Sequence, residues 1–149
     1  MVTWMRARTG DAFQVGIRLS PERFGLRLGE IRDVAAELLQ RDDLDFLDMS
    51  LWDVAKQPVE EEYQSRPLMD WFTDLDRGTT RLGVAGKVRT GRQAADTLER
   101  GADFVMVGRA AILHHDFPDR VRGDGDFVPV PTPVSPDHLA GEGLSPVFV

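Results

Sequence analysis

Apolar residues fall along this chain in short runs separated by stretches of helical period. Ala12 to Leu19 (AFQVGIRL) is a short apolar run that stops at Ser20-Pro21, where proline ends a strand. Glu30 to Gln40 sets Ile31, Val34, Ala35, Leu38 and Leu39 at the spacing of one helix face. Leu44 to Met49 alternates and predicts a strand, followed by a long connection from Ser50 to about Ser65. Pro67 to Leu75 reads as a helix with Leu68, Trp71, Phe72 and Leu75 on one side, and Arg81 to Ala85 as the next strand. Thr90-Gly91-Arg92-Gln93 fits a capping box that opens a further helix, and Gly101 suits its left-handed end. Asp103 to Val107 predicts a fourth strand and Arg109 to His115 a short helix. From Phe117 onward there is no helical period, and Pro118, Pro131, Pro133, Pro136 and Pro146 interrupt the chain.

Strands and helices alternate four times, which calls for a parallel sheet with helices covering it. Near-continuous apolar strands fit parallel strands buried on both faces. Two α/β architectures satisfy this order: four units of an eight-unit barrel, or an open doubly wound sheet. In either, functional groups belong at the C-terminal ends of the strands. The domain reading is a folded unit over 1–116 and an irregular, Pro/Gly-rich tail over 117–149 that wraps the surface.

Composition narrows the function classes. The chain has 149 residues, with 18 Lys+Arg against 25 Asp+Glu and a net charge of −7. That balance argues against a nucleic-acid partner, which asks for a basic face, but leaves room for a few cations around one phosphate. Absence of cysteine removes disulfides, thiolate chemistry and Cys-ligated metal sites. No apolar run approaches a membrane span, and the first residues carry no secretory signal, so the expected location is cytoplasmic.

The candidate chemistry lies at strand ends. Arg18 stands two residues before the first strand stops, inside an apolar segment, where a guanidinium needs an anion nearby. A ligand or a structural carboxylate such as Asp48 serves equally well on this ground. Gly86-Lys87 and Gly108-Arg109 end the third and fourth strands in the same way: glycine, then a cation, then a helix start. Glycine lets backbone N–H groups approach an anion, a helix N-terminus adds positive potential, and Arg offers a forked donor pair. Together these resemble the phosphate site after strands 7 and 8 of (β/α)8 barrels. His114-His115 points in two directions on a helix, which favours surface or packing roles over a metal. Glu60-Glu61-Glu62 reads as a solvated face. Trp52 and Tyr63 could line a pocket, while Trp71 and Phe72 suit packing.

At these residues the sequence resembles the C-terminal part of the old yellow enzyme family of NADH:flavin oxidoreductases. The matching segments are Phe13-Gln14-Val15-Gly16-Ile17-Arg18-Leu19-Ser20-Pro21, Leu44-Asp45-Phe46-Leu47-Asp48-Met49-Ser50, Gly83-Val84-Ala85-Gly86-Lys87-Val88 and Gly101-Ala102-Asp103-Phe104-Val105-Met106-Val107-Gly108-Arg109-Ala110, in the family's order. The resemblance implies an α/β fold made of strands 5 to 8 of a TIM (β/α)8 barrel, FMN as cofactor, and NADH or NADPH as hydride donor. It implies that Arg18 approaches the N1/O2 edge of the flavin, where a cation favours reduction. Gly86 and Lys87, with Gly108 and Arg109, then correspond to the phosphate contacts. The family's His/Asn or His/His donor pair and its Tyr proton donor belong to strands 1 to 4, so no catalytic residue is assigned here. A truncated or split oxidoreductase acting on an activated alkene or similar electrophile is the expected function. The alternatives are a non-catalytic phosphate- or flavin-binding or assembly module, and a different phosphate-handling barrel enzyme. Four strands leave two sheet edges open, so self-association or a complementary half-barrel is the expected partnership.

Overall fold

A computed structural model describes residues 1–148. Its helices are α1 (Val2–Thr9), α2 (Leu28–Leu39), α3 (Asp70–Thr73), α4 (Gly91–Glu99), α5 (Arg109–Leu113), α6 (Phe117–Gly123) and α7 (Pro136–Gly141). The strands β1 (Gly16–Leu19), β2 (Phe46–Ser50), β3 (Arg81–Ala85) and β4 (Phe104–Met106) form one parallel sheet in the order β1-β2-β3-β4. Among the described residues, no helix is long and apolar enough to cross a membrane.

Strand side chains alternate between the two faces of the sheet, and here the faces differ in chemistry. Leu47 and Met49 on β2, with Leu82 and Val84 on β3, point to one face and are fully buried. Leu28, Ala35 and Leu39 of α2 and Phe72 of α3 complete that cluster. Burial of this aliphatic set is the main stabilising contribution, at about 1.5–3 kcal/mol for each large side chain. The other face carries Arg18, Phe46, Asp48, Arg81, Phe104 and Met106, none of which enters a buried apolar cluster. Within residues 1–148 the helices cover one face of these strands. Their apolar residues fill a single helical layer, while the second face alternates glycine, aromatic and charged groups.

Most of the expected elements fold, with shorter bounds. The apolar run from Ala12 pairs only from Gly16, because Asp45 Oδ2 takes the Val15 N–H at 2.6 Å in place of a longer ladder. The helix expected over Pro67–Leu75 contracts to four residues whose position is set by Phe72. The Thr90 hydroxyl accepts the Gln93 N–H at 3.2 Å, and Gln93 reaches back to the N–H of Arg89, one residue before the cap. Gly101 takes φ +100, a left-handed value that suits glycine.

Two features depart from the pattern. Residues after 117 contain α6 and α7 rather than irregular chain alone. Pro118 and Pro136 sit in the first turns of these helices, where a missing N–H costs nothing, and Ser135 caps α7 through the His138 N–H. Glu60, expected to be solvated, caps α2 instead: its Oε1 accepts the Leu28 N–H at 2.6 Å and its Oε2 pairs with Arg27 at 3.1 Å. Glu61 and Glu62 are exposed.

Candidate functional site: a cationic cleft at the strand ends

The C-terminal ends of the four strands open into a cleft of about 410 Å³. Arg18, Gly86, Lys87, Gly108 and Arg109 all line it, and it also takes in Ser50, Trp52 and Arg89. The parallel register explains the convergence. β1, β2 and β3 run level to their ends, and each chain then turns outward at the same edge of the sheet.

Arg18 makes the structural ion pair with Asp48 that was one of the two readings of its charge. Its Nε lies 3.3 Å from Asp48 Oδ2 and its terminal nitrogen donates to the Ser50 hydroxyl at 3.1 Å. Yet its side chain keeps 56% exposure and faces the cleft, whereas Asp48 keeps 3%. Asp48 thus anchors the guanidinium from below. Its second oxygen, Oδ1, is buried without a hydrogen-bond partner. Burial pushes the Asp48 carboxyl above its usual range, and the Arg18 charge pulls partly against this.

A raised carboxylate pKa means the folded chain holds the proton more tightly than the unfolded chain. Its favourable contribution is complete below the ordinary carboxylate pKa and is lost as pH rises through the folded value. Asp48→Asn is therefore expected to stabilise the chain at neutral pH by about 1 kcal/mol, or roughly 2–4 °C in Tm. Thermal unfolding of both proteins from acid to neutral pH checks this. A less stable variant at neutral pH would show that attraction to Arg18 outweighs the cost of burial.

The ends of β3 and β4 hold the remaining cations. A Cβ on Gly86 would lie 2.8 Å from the Asp53 nitrogen and 2.9 Å from that of Val54, so only glycine lets these two backbones meet. Lys87 follows with φ 52 and ties its ammonium to Asp53 at 3.1 Å. A hydrogen bond from the Ala55 N–H is the main reason the Asp53 carboxyl lies below its usual range, so it is ionised to hold Lys87. Gly108 faces open space, with nothing within 4 Å of a built Cβ. Among the described residues, no carboxylate pairs with Arg89 or Arg109. The cleft therefore has two compensated cations at Arg18 and Lys87, and two uncompensated guanidiniums at Arg89 and Arg109.

Ser50 and Arg89 were absent from the sequence-based set, whereas Trp52, offered there as a pocket-lining residue, does line the cleft. Trp52 has φ 65 and its indole stacks under the Arg23 guanidinium at 3.8 Å, which fixes an aromatic wall at the rim. Arg89 could have been found from its place between Lys87 and the Thr90 cap. Tyr63 lies elsewhere, against Trp71 at 5.2 Å between ring centroids.

The adjacent histidines differ in burial, His115 keeping 68% exposure. His114 is 4% exposed, and its Nε2 accepts the Val130 N–H at 3.0 Å. A neutral ring in that arrangement carries its proton on Nδ1, which faces Glu142 at 3.8 Å. Nδ1 thus offers no lone pair to a cation, although His114, Asp116 and Glu142 bring ligand atoms within 4.8 Å of one another. Glu142 also accepts from the His115 N–H at 2.8 Å, so the cluster clamps the tail onto α5.

No family model matches the sequence. The chain is 28% identical over 123 residues to an NADH:fumarate oxidoreductase of Klebsiella pneumoniae (strain 342), covering 78% of this chain and 13% of that protein. Its structure is similar to morphinone reductase, solved in complex with tetrahydroNAD, with a TM-score of 0.53 and 26% identity. That match covers 84% of this chain and 32% of the reductase, so the chain spans a third or less of either relative's length. Over the part that it spans, the chain is related to the NADH:flavin oxidoreductases of the old yellow enzyme family.

Proposed function

We propose that the chain is the strand 5 to 8 half of a (β/α)8 barrel and that its cleft binds FMN, as part of an NAD(P)H-dependent oxidoreductase of the old yellow enzyme type. The observation that carries this reading is the meeting of Arg18, Gly86, Lys87, Gly108 and Arg109 in one cleft, with Arg89 and Arg109 left without carboxylate partners. Two unpaired guanidiniums beside an open glycine fit a phosphate, because forked N–H donors match its oxygens.

Arg89 and Arg109 bind the phosphate, and Gly86 and Gly108 let backbone N–H groups reach it. Lys87, held by Asp53, contributes a fixed positive charge beside them. Arg18 presents its charge to the ring system from the β1 end, and Asp48 and Ser50 keep it oriented. Trp52 shields that side of the cleft from water. The chemistry FMN supplies when bound is hydride transfer, from NADH or NADPH and on to an electrophile such as an activated alkene.

A second reading is a phosphate- or flavin-binding module without turnover, since the cationic lining of the cleft, with Arg89 and Arg109 unpaired among the described residues, accounts for binding by itself. One experiment addresses both. The chain is mixed with FMN, freed of excess ligand, and its visible spectrum recorded before and after anaerobic NADPH or NADH. Bound flavin that bleaches supports the oxidoreductase. Bound flavin that stays oxidised with both donors leaves the binding module, and a colourless protein rejects FMN.

A further inference from the structure

A second cavity, of about 300 Å³, lies against the first. The two share Arg89 and Arg109, so these guanidiniums form the ridge between them. Every residue lining the second cavity falls between Arg89 and Thr132, inside the chain and away from both its ends. Leu113 of α5 and the strap 128–131, which carries two prolines, give it apolar walls. A buried side chain holds the strap in place. His114 Nε2 accepts the Val130 N–H at 3.0 Å, and the Phe127 ring packs edge-to-face on the imidazole, 5.1 Å between centroids. Thr90 and Gln93 supply the polar side of the cavity. The Thr90 hydroxyl accepts the Gln93 N–H, and Gln93 Oε1 accepts the Arg89 N–H at 2.8 Å. This leaves the Thr90 hydroxyl proton and the Gln93 amide NH2 to donate to a ligand. Small-molecule sites have this character: apolar walls, a few directed polar groups, and a volume for which 300 Å³ is the lower end.

We propose that the second cavity takes the nucleoside of a flavin dinucleotide, whose diphosphate crosses the ridge of Arg89 and Arg109. The inference rests on the flavin reading of the cleft and extends it past the phosphate. The ridge is where the two cavities meet, so a ligand with its phosphates there reaches both. A phosphate monoester ends at the ridge, whereas a diphosphate continues over it. Charge agrees with this placement. The two guanidiniums, unpaired among the described residues, match the two charges of a diphosphate, one for each phosphate. The walls agree as well. A flat base suits proline and aliphatic surfaces, its ring nitrogens can accept from the Gln93 amide, and a ribose hydroxyl can accept from Thr90. A separate nucleotide fits less well. It would bring further phosphate charge to arginines that the flavin phosphate already neutralises, whereas one diphosphate serves both cavities.

Isothermal titration of the 149-residue chain with FMN and with FAD tests this in one protein. FAD is expected to bind about tenfold tighter than FMN, the factor that one directed hydrogen bond supplies. Val128→Glu puts a charge in the wall of the second cavity, at a side chain 71% exposed, so the core is left undisturbed. It is expected to bring the two affinities together. The ratio is the readout, because a charge acting at a distance on phosphate weakens both ligands alike. Leu113→Trp fills the cavity from α5 and is expected to do the same, with FMN binding as its check on folding. FMN binding with no gain for FAD would overturn the dinucleotide and leave the flavin reading standing. So would a preference for FAD that survives both substitutions. ADP that binds the FMN-saturated chain as tightly as the empty one would replace the shared diphosphate by a separate nucleotide site. A chain that binds neither flavin would remove this inference together with the reading beneath it.

Discussion

FMN affinity in an Arg89→Ala/Arg109→Ala double variant is expected to fall at least a hundredfold. Both guanidiniums line the cleft, and among the described residues neither has a carboxylate partner. Removing them therefore removes attraction to the ligand without freeing a buried acid. A hydrogen bond to a charged group contributes about 1.5–3 kcal/mol, so each arginine accounts for roughly one to two orders of magnitude in Kd. Where the two effects add, the smaller figure for each arginine gives the hundredfold lower bound. Quenching of FMN fluorescence on titration with protein measures this directly. Arg81→Ala supplies the control, since Arg81 begins the same strand β3 at its opposite end, outside the cleft. Equal weakening by Arg81→Ala would reduce the effect to net charge. Unchanged affinity in the double variant would remove the phosphate cradle from this cleft.

Phe72→Ala is expected to destabilise the fold by about 3–5 kcal/mol, a large part of the roughly 5–15 kcal/mol that holds a typical domain. Phe72 is fully buried and belongs to the cluster that includes Leu39, Leu68 and Leu82. Its helix, α3, has only four residues, too few to be stable by themselves. The ring therefore both fills the core and holds α3 on the sheet. Urea unfolding of wild type and variant gives the difference. Trp71→Ala, one residue earlier, serves for comparison. Trp71 is half-buried at the edge of the same core, with the Arg66 guanidinium 3.9 Å over its ring, so its loss leaves a cavity open to solvent and is expected to cost less. Similar losses at the two positions would mean that α3 is not anchored through the core.

The helix periods and strand runs made the order of elements legible because each reports burial against the helical layer. Leu38 and Leu39 announce α2, and Leu82 with Val84 announce β3, for that reason. The site was legible where local sequence carries the chemistry. Gly86 must be glycine because two backbones meet there, and Gly108-Arg109 places an open backbone beside a free cation. What stayed hidden depends on long-range partners. Glu60 caps a helix that begins 32 residues before it, and nothing around Glu60 marks that task. Trp52 was legible as a pocket candidate, but the left-handed backbone that sets it under Arg23 was not. The face of the sheet on which each aromatic stands was also invisible. Phe46 and Phe104 count as apolar in any pattern, and only the folded chain shows that they face away from the helices.

The glycines beside those rings carry a consequence for how this sequence can change over evolutionary time. Gly16 and Phe46, and likewise Gly83 and Phe104, each divide one fixed volume between neighbouring strands. A side chain gained at position 16 must be matched by one lost at position 46, and neither change is tolerated first at full size. Homologues should therefore exchange bulk between the members of each pair. Residue size at the two positions would vary inversely, while the sum stays nearly constant.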